Sequence, residues 1–134
     1  MKDKTLTIVS LLAMLLMTLH IVDDIKRGIS PPSQSLGANI IGPVIFLVWL
    51  IGTLMLTERR SGYVIMLLGG LMSALMPVLH MRGAGYPRIV ASEGGFFFVW
   101  TLYAVGSLGA FAVILAARAL WLSRSGSRGA KLQA

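Results

Sequence analysis

The chain has 134 residues, of which 56% are hydrophobic and only 13% are charged, and its mean hydropathy is +0.81. Soluble domains are about 45–50% apolar and about 25% charged, so this composition excludes a disordered chain and argues against a soluble domain. The chain has no cysteine, which excludes disulfides and Cys-ligated metal centres. Its net charge of +7 does not predict nucleic-acid binding, because the basic residues flank apolar runs, as they do in membrane proteins.

Four apolar runs predict membrane-spanning helices, because about 20 residues are needed to cross about 30 Å of hydrocarbon. In chain order the runs cover residues 5–22, 38–56, 62–81 and 94–121. Helices are expected in all four, since lipid offers no hydrogen-bond partner to exposed backbone groups. The sequence therefore predicts an all-α, integral membrane four-helix transmembrane bundle over residues 1–122. Residues 123–134 are predicted to form a flexible basic cytoplasmic tail.

The connections between the runs differ in composition. Residues 23–37 contain Pro31-Pro32, which ends a helix. Residues 57–61 are short enough for a tight turn, and residues 82–93 are predicted to form a loop. Small residues recur at four-residue spacing in the third and fourth runs, which predicts a close contact between these two helices.

The distribution of Lys and Arg predicts the orientation in the membrane. Four spans place both termini on one side, together with the turn at residues 57–61. This side holds eight basic residues, Lys2, Lys4, Arg59, Arg60, Arg118, Arg124, Arg128 and Lys131. The other side holds four, Lys26, Arg27, Arg82 and Arg88. The excess predicts cytoplasmic termini in the plasma (inner) membrane.

Ionisable side chains collect at the opposite, extracytoplasmic face. His20 and His80 lie at the ends of the first and third runs, which cross the membrane in the same direction. Asp23 and Asp24 follow His20 directly, and Glu93 precedes the fourth run. If the first helix extends by one more turn, His20, Asp23 and Asp24 share one of its faces.

These residue types predict a cation site. Imidazole and carboxylate together suit Zn, Ni, Cu(II) or non-haem Fe, so a divalent metal is the leading cofactor. His20 and Asp24 are spaced to bind one ion from a single helical face, and His80 completes the leading set of ligands. Asp23 and Glu93 are second-rank ligands. A haem between the two histidines is a weaker alternative, whereas a proton relay and the binding of an external cation stay open.

Three functional hypotheses follow. The first is a non-enzymatic membrane protein that binds a cation, a metal or a protein partner at the His/Asp cluster. The second is a transporter or channel subunit whose pore forms on oligomerisation, and the third is an enzyme or redox protein with metal or haem at the cluster. In a purely structural alternative, the same charges anchor helix ends at the membrane boundary. The expected partners are the lipid bilayer and either a second copy or a larger membrane complex.

In size and number of predicted helices, the chain resembles the small multidrug-resistance exporters. That family relies on a buried glutamate in the middle of its first helix. The corresponding segment here, residues 10–17, reads SLLAMLLM and contains no acid. The resemblance therefore implies architecture and not proton-coupled drug export. No catalytic residue is predicted, because the sequence contains neither H-E-x-x-H nor G-x-S-x-G.

Overall fold

A computed structural model describes residues 4–29, 36–83 and 85–131. This part of the chain is helical, and no strand occurs in it, which confirms the all-α prediction. The elements are α1 (Lys4–Lys26), α2 (Leu36–Met55), α3 (Arg60–Met81), α4 (Tyr86–Val90) and α5 (Gly95–Lys131). Three of them, α1, α3 and α5, include segments long and apolar enough to cross a membrane, whereas the apolar part of α2, Asn39–Met55, is shorter.

Helix α1 continues one turn beyond the predicted end at residue 22. It stops at Gly28, whose φ of +70° is a backbone conformation that favours glycine. The amide of Gly28 donates to the Ile25 carbonyl, and the amide of Ile29 donates to the Asp24 carbonyl. These two bonds form a Schellman motif, so the helix is closed after Asp24 and not before it.

Two other segments differ from the sequence-based prediction. The predicted loop at residues 82–93 contains the short helix α4, which has Pro87 in its first turn, where the fixed φ of proline favours a helix start. In the predicted tail, α5 continues as far as Lys131. Residues 132–134 lie outside the described residues.

The buried face of α1 organises the fold. It is a continuous stripe of residues spaced three or four apart, Leu6, Val9, Ser10, Ala13, Met14, Met17, His20 and Asp24. At its start, Leu6 and Val9 pack with Ala112 and Ala116 of α5. At its end, His20 contacts Thr101 of α5. Helix α5 therefore runs antiparallel to α1, and the ionisable residues of the stripe meet the beginning of α5.

Helices α3 and α5 approach each other backbone to backbone, as the small residues predict. A Cβ atom built on Gly109 would lie 2.5 Å from the Ala74 nitrogen and 2.7 Å from the Gly70 carbonyl oxygen. Nearer the start of α5, Gly106 faces the ring of Pro77. These contacts fix the position of His80, which lies one turn after Pro77 on α3.

The largest buried side chain of helix α2 is Trp49. Trp49 is buried, and its indole packs over Gly69 of α3, where a Cβ atom would lie 2.3 Å from the ring. The indole N–H donates to the Ser10 hydroxyl of α1 over 3.0 Å. Most other α2 side chains are exposed, including Ile41, Leu47 and Leu54.

Candidate metal centre

The site combines one residue pair on α1 with one residue on α3. His20 is fully buried, Asp24 is 2% exposed, and His80 is partly buried. One ligand atom from each residue can be chosen so that the three atoms lie within 4.8 Å of one another. The parallel course of α1 and α3 produces this arrangement, because it brings the ends of both helices to the same level.

The orientation of His20 is set by Thr101. The Thr101 hydroxyl oxygen lies 3.0 Å from the carbonyl oxygens of Phe97 and Phe98, which only accept hydrogen bonds. The hydroxyl therefore donates its single proton to these carbonyls and accepts from Nδ1–H of His20, 3.1 Å away. In the neutral ring, this tautomer leaves a lone pair and no proton on Nε2 of His20.

His80 is oriented by its own helix. Its Nδ1 lies 3.1 Å from the Met76 carbonyl oxygen, an acceptor, so Nδ1 carries the proton that is donated there. Its Nε2 lies 2.9 Å from Oδ2 of Asp24. A carboxylate and an imidazole nitrogen at this distance share one proton. Without that proton, both atoms are free to bind a cation.

Two acceptor atoms face each other inside the site. Nε2 of His20 and Oδ1 of Asp24 are 3.7 Å apart, and both are buried and lack a hydrogen-bond partner among the described residues. Buried polar atoms are nearly always paired, so an unpaired facing couple needs an explanation. A cation between them would satisfy both atoms.

The donor set fits a transition-metal ion. Two imidazole nitrogens and one carboxylate form a common ligand set for Zn and non-haem Fe. In a tetrahedral zinc site two ligand atoms are about 3.3 Å apart, since each bond is about 2.0–2.1 Å long and the bonds meet at about 109°. The present set, spread over 4.8 Å, would therefore need to contract by about 1.5 Å to enclose such an ion. The carbonyl of Met76 and the hydroxyl of Thr101 would then hold the outer nitrogens of the two rings.

The aromatic surroundings of the site are close-packed. The two imidazole rings have centroids 5.0 Å apart and are inclined by 71°. Phe98 of α5 covers both of them, with centroid distances of 4.9 Å to His20 and 5.9 Å to His80. Within the described part of the chain, no slot for a flat macrocycle separates the rings. This geometry favours a single ion over haem.

The second-rank residues have other contacts. Asp23 pairs with Arg27 over 2.7 Å. Arg27 also donates to the Ser92 hydroxyl and to the main-chain carbonyl of Glu93. Its guanidinium lies 5.8 Å from the Phe98 ring centroid. Asp23 and Glu93 thus anchor the end of α1 to the segment before α5. They are not part of the His20–Asp24–His80 group, whose role in metal binding stays a prediction.

Two residues of the site escaped the sequence analysis, Thr101 and Phe98. Both lie near the start of α5, in a run that reads as an interfacial aromatic belt. The helical spacing of the residues was a signal for the position of Thr101. The buried stripe of this helix consists of Phe98, Thr101, Leu102 and Val105. A threonine inside that stripe is a polar group that needs a buried partner.

Comparisons of the chain with protein-family models, with curated proteins and with solved structures find no match.

Proposed function

We propose that this chain is a multi-pass protein of the plasma (inner) membrane that binds one divalent transition-metal ion through His20, Asp24 and His80. Helices α1, α2, α3 and α5 are the four proposed spans of a bundle, with both termini in the cytoplasm. The exposed apolar side chains of α2 support insertion, since they suit lipid or another membrane helix. In this orientation the metal site lies near the extracytoplasmic boundary of the hydrocarbon.

One observation carries the metal proposal. Nε2 of His20 and Oδ1 of Asp24 are unpaired acceptors that face each other over 3.7 Å in a buried site. A hydrogen bond cannot join two acceptors, and His80 compensates only Oδ2 of Asp24. A cation bound between Nε2 and Oδ1 would give both atoms a partner. The anchoring interpretation accounts for Asp23 and Arg27 but not for this couple.

The test is a titration of the purified full chain with Co²⁺, followed by displacement with Zn²⁺. We expect saturation at about one ion per chain and loss of the Co²⁺ absorption when Zn²⁺ is added, because both ions accept imidazole and carboxylate ligands. Asp24→Asn keeps the shape of the side chain but removes its charge, and it should abolish saturable binding. Asp23→Asn is the matched control, because its carboxylate pairs with Arg27 outside the site.

Two results contradict the proposal. One is wild-type protein that does not bind Co²⁺ or Zn²⁺ saturably. The other is equal binding by wild type, Asp24→Asn and Asp23→Asn, which would place any bound metal elsewhere. Circular dichroism of each variant shows whether its helices are intact, so that a loss of folding is separated from a loss of ligands.

A catalytic or redox role is the second candidate, and the number of ligands favours it. Catalytic zinc sites hold three protein ligands and keep one position for water, whereas structural sites hold four. The group here supplies three. Azide added to the Co²⁺ form should therefore change its spectrum by entering the open position. An unchanged spectrum would argue for a closed, purely binding site.

A further inference from the structure

A largely apolar cleft with a basic residue in its lining lies at the end of the molecule opposite the histidines. It is a cleft of about 560 Å³ between the first turns of α3 and the later part of α5. Arg60 and Ser61, both exposed, lie at its mouth. The cleft is separate from the metal centre, which uses the other ends of α1 and α3.

The two parts of the cleft differ in chemistry. Val64 and Leu67 line it one and two turns beyond Arg60, and Leu120 of α5 lines it as well. The lining is therefore basic at one end and apolar along its length. An occupant that complements both parts has an anionic head joined to an apolar chain.

The surrounding charge is one-sided. At this end of the molecule the basic residues with described side chains are Lys4, Arg59, Arg60 and Arg118, and the described acid is Glu58. Trp121, which also lines the cleft, is 74% exposed, and exposed tryptophans of membrane proteins concentrate at the level of the lipid headgroups. Positive charge beside such an indole matches the phosphate layer of an anionic leaflet.

We propose that this cleft binds one anionic phospholipid, with its phosphate beside Arg60 and an acyl chain along Val64, Leu67 and Leu120. The proposal rests on the membrane insertion proposed above but is independent of the metal ion. The lining of the cleft favours a lipid over free phosphate, because most of its lining residues are apolar. Basic pockets between membrane helices on the cytoplasmic side bind lipid headgroups in this way.

Native mass spectrometry of the detergent-purified full chain tests the proposal, with phosphatidylglycerol and phosphatidylcholine of identical acyl chains as probes. We expect one phosphatidylglycerol per chain, in preference to phosphatidylcholine. Arg60→Gln should weaken phosphatidylglycerol binding about fivefold, the effect of one basic residue near an anionic surface. Arg82→Gln, the same change at the other end of α3, should leave binding unchanged.

A third variant and a soluble probe test the apolar part. Ala117 is exposed and lines the cleft, so Ala117→Trp should fill it and weaken the binding of both lipids. Excess glycerol phosphate should not displace phosphatidylglycerol, and displacement would indicate a phosphate site without a lipid chain. Equal retention of both lipids by wild type, or equal losses in Arg60→Gln and Arg82→Gln, would overturn the site without contradicting membrane insertion. Wild type that retains neither lipid would overturn the site and count against insertion as well.

Discussion

The two ionisable side chains that are buried in the described part of the chain, His20 and Asp24, belong to the same site. Removing an ion from water costs several kcal/mol unless its partners compensate. His80 compensates Oδ2 of Asp24, and Oδ1 is left facing His20. The four-residue spacing of His20 and Asp24 brings two unpaired atoms together here, because Nδ1 of His20 faces Thr101 instead of Asp24.

Thr101 is therefore a positioning residue, and its removal should weaken metal binding without removing a ligand. Thr101→Val leaves Nδ1–H of His20 unpaired and the ring free to rotate. We expect the affinity for Zn²⁺ to fall about 10–100-fold, the usual effect of losing a hydrogen bond to a ligating histidine. Competition against a chelator of known affinity measures the change.

The conservative variant separates positioning from packing. Thr101→Ser keeps the hydroxyl and loses one methyl group, so it should bind Zn²⁺ as the wild type does while being slightly less stable. If Thr101→Ser and Thr101→Val lose the same affinity, the hydroxyl does not orient His20.

At the scale of elements, the contact between α3 and α5 is the most extensive in the described part of the chain. Gly109→Ala places a methyl group against the backbone of α3, which has no flexible atom to move aside. Overpacking of this kind costs about 1–3 kcal/mol, so thermal unfolding in detergent should shift to lower temperature. Gly42→Ala is the control, since nothing lies within 4 Å of its added Cβ. That variant should be neutral or slightly more stable, because alanine favours helix.

The attachment of α2 to α1 depends on a buried hydrogen bond. Ser10→Ala removes the acceptor of the buried Trp49 indole N–H. Such bonds contribute about 0.6–1.7 kcal/mol in membrane proteins, and a loss of this size in the free energy of unfolding is expected. Ser107→Ala, an exposed serine on α5, is the matched change. Equal losses in the two variants would mean that the indole bond contributes nothing specific.

The small residues of α3 and α5 predicted that these two helices touch. The end of α1 was predicted one turn too early, because the apolar run ends at Val22 whereas the helix continues to Lys26, before Gly28. Helix α4 was missed because a five-residue helix needs no hydrophobic periodicity, and only Pro87 signals it. The extent of α5 was missed because a polar composition does not by itself end a helix.

At the scale of the whole molecule, the sequence predicted that His20, Asp24 and His80 would lie together but not how their side chains are oriented. The two histidines lie at the same level because α1 and α3 are helices of similar length that run in the same direction. The division between Asp24, which faces His80, and Asp23, which faces Arg27, depends on the rotation of α1. That rotation is set by packing of Leu6 and Val9 at the far end of the helix, three to five turns from the site. The residues next to Asp23 and Asp24 in the sequence therefore do not determine which of the two carboxylates faces His80.

The distribution of basic residues predicts the orientation of the whole molecule in the membrane. Eight basic residues on the side of the termini against four on the other predict that a fluorescent protein fused after Ala134 folds in the cytoplasm and fluoresces. Alkaline phosphatase is active only on the extracytoplasmic side. We therefore expect it to be active when it is inserted at Gly83, between α3 and α4. The reverse pattern would place the His20–Asp24–His80 group at the cytoplasmic face, where intracellular metal supplies it. The contacts within the site would be the same in either orientation, so this experiment decides which compartment provides the ion, independently of whether the ion binds.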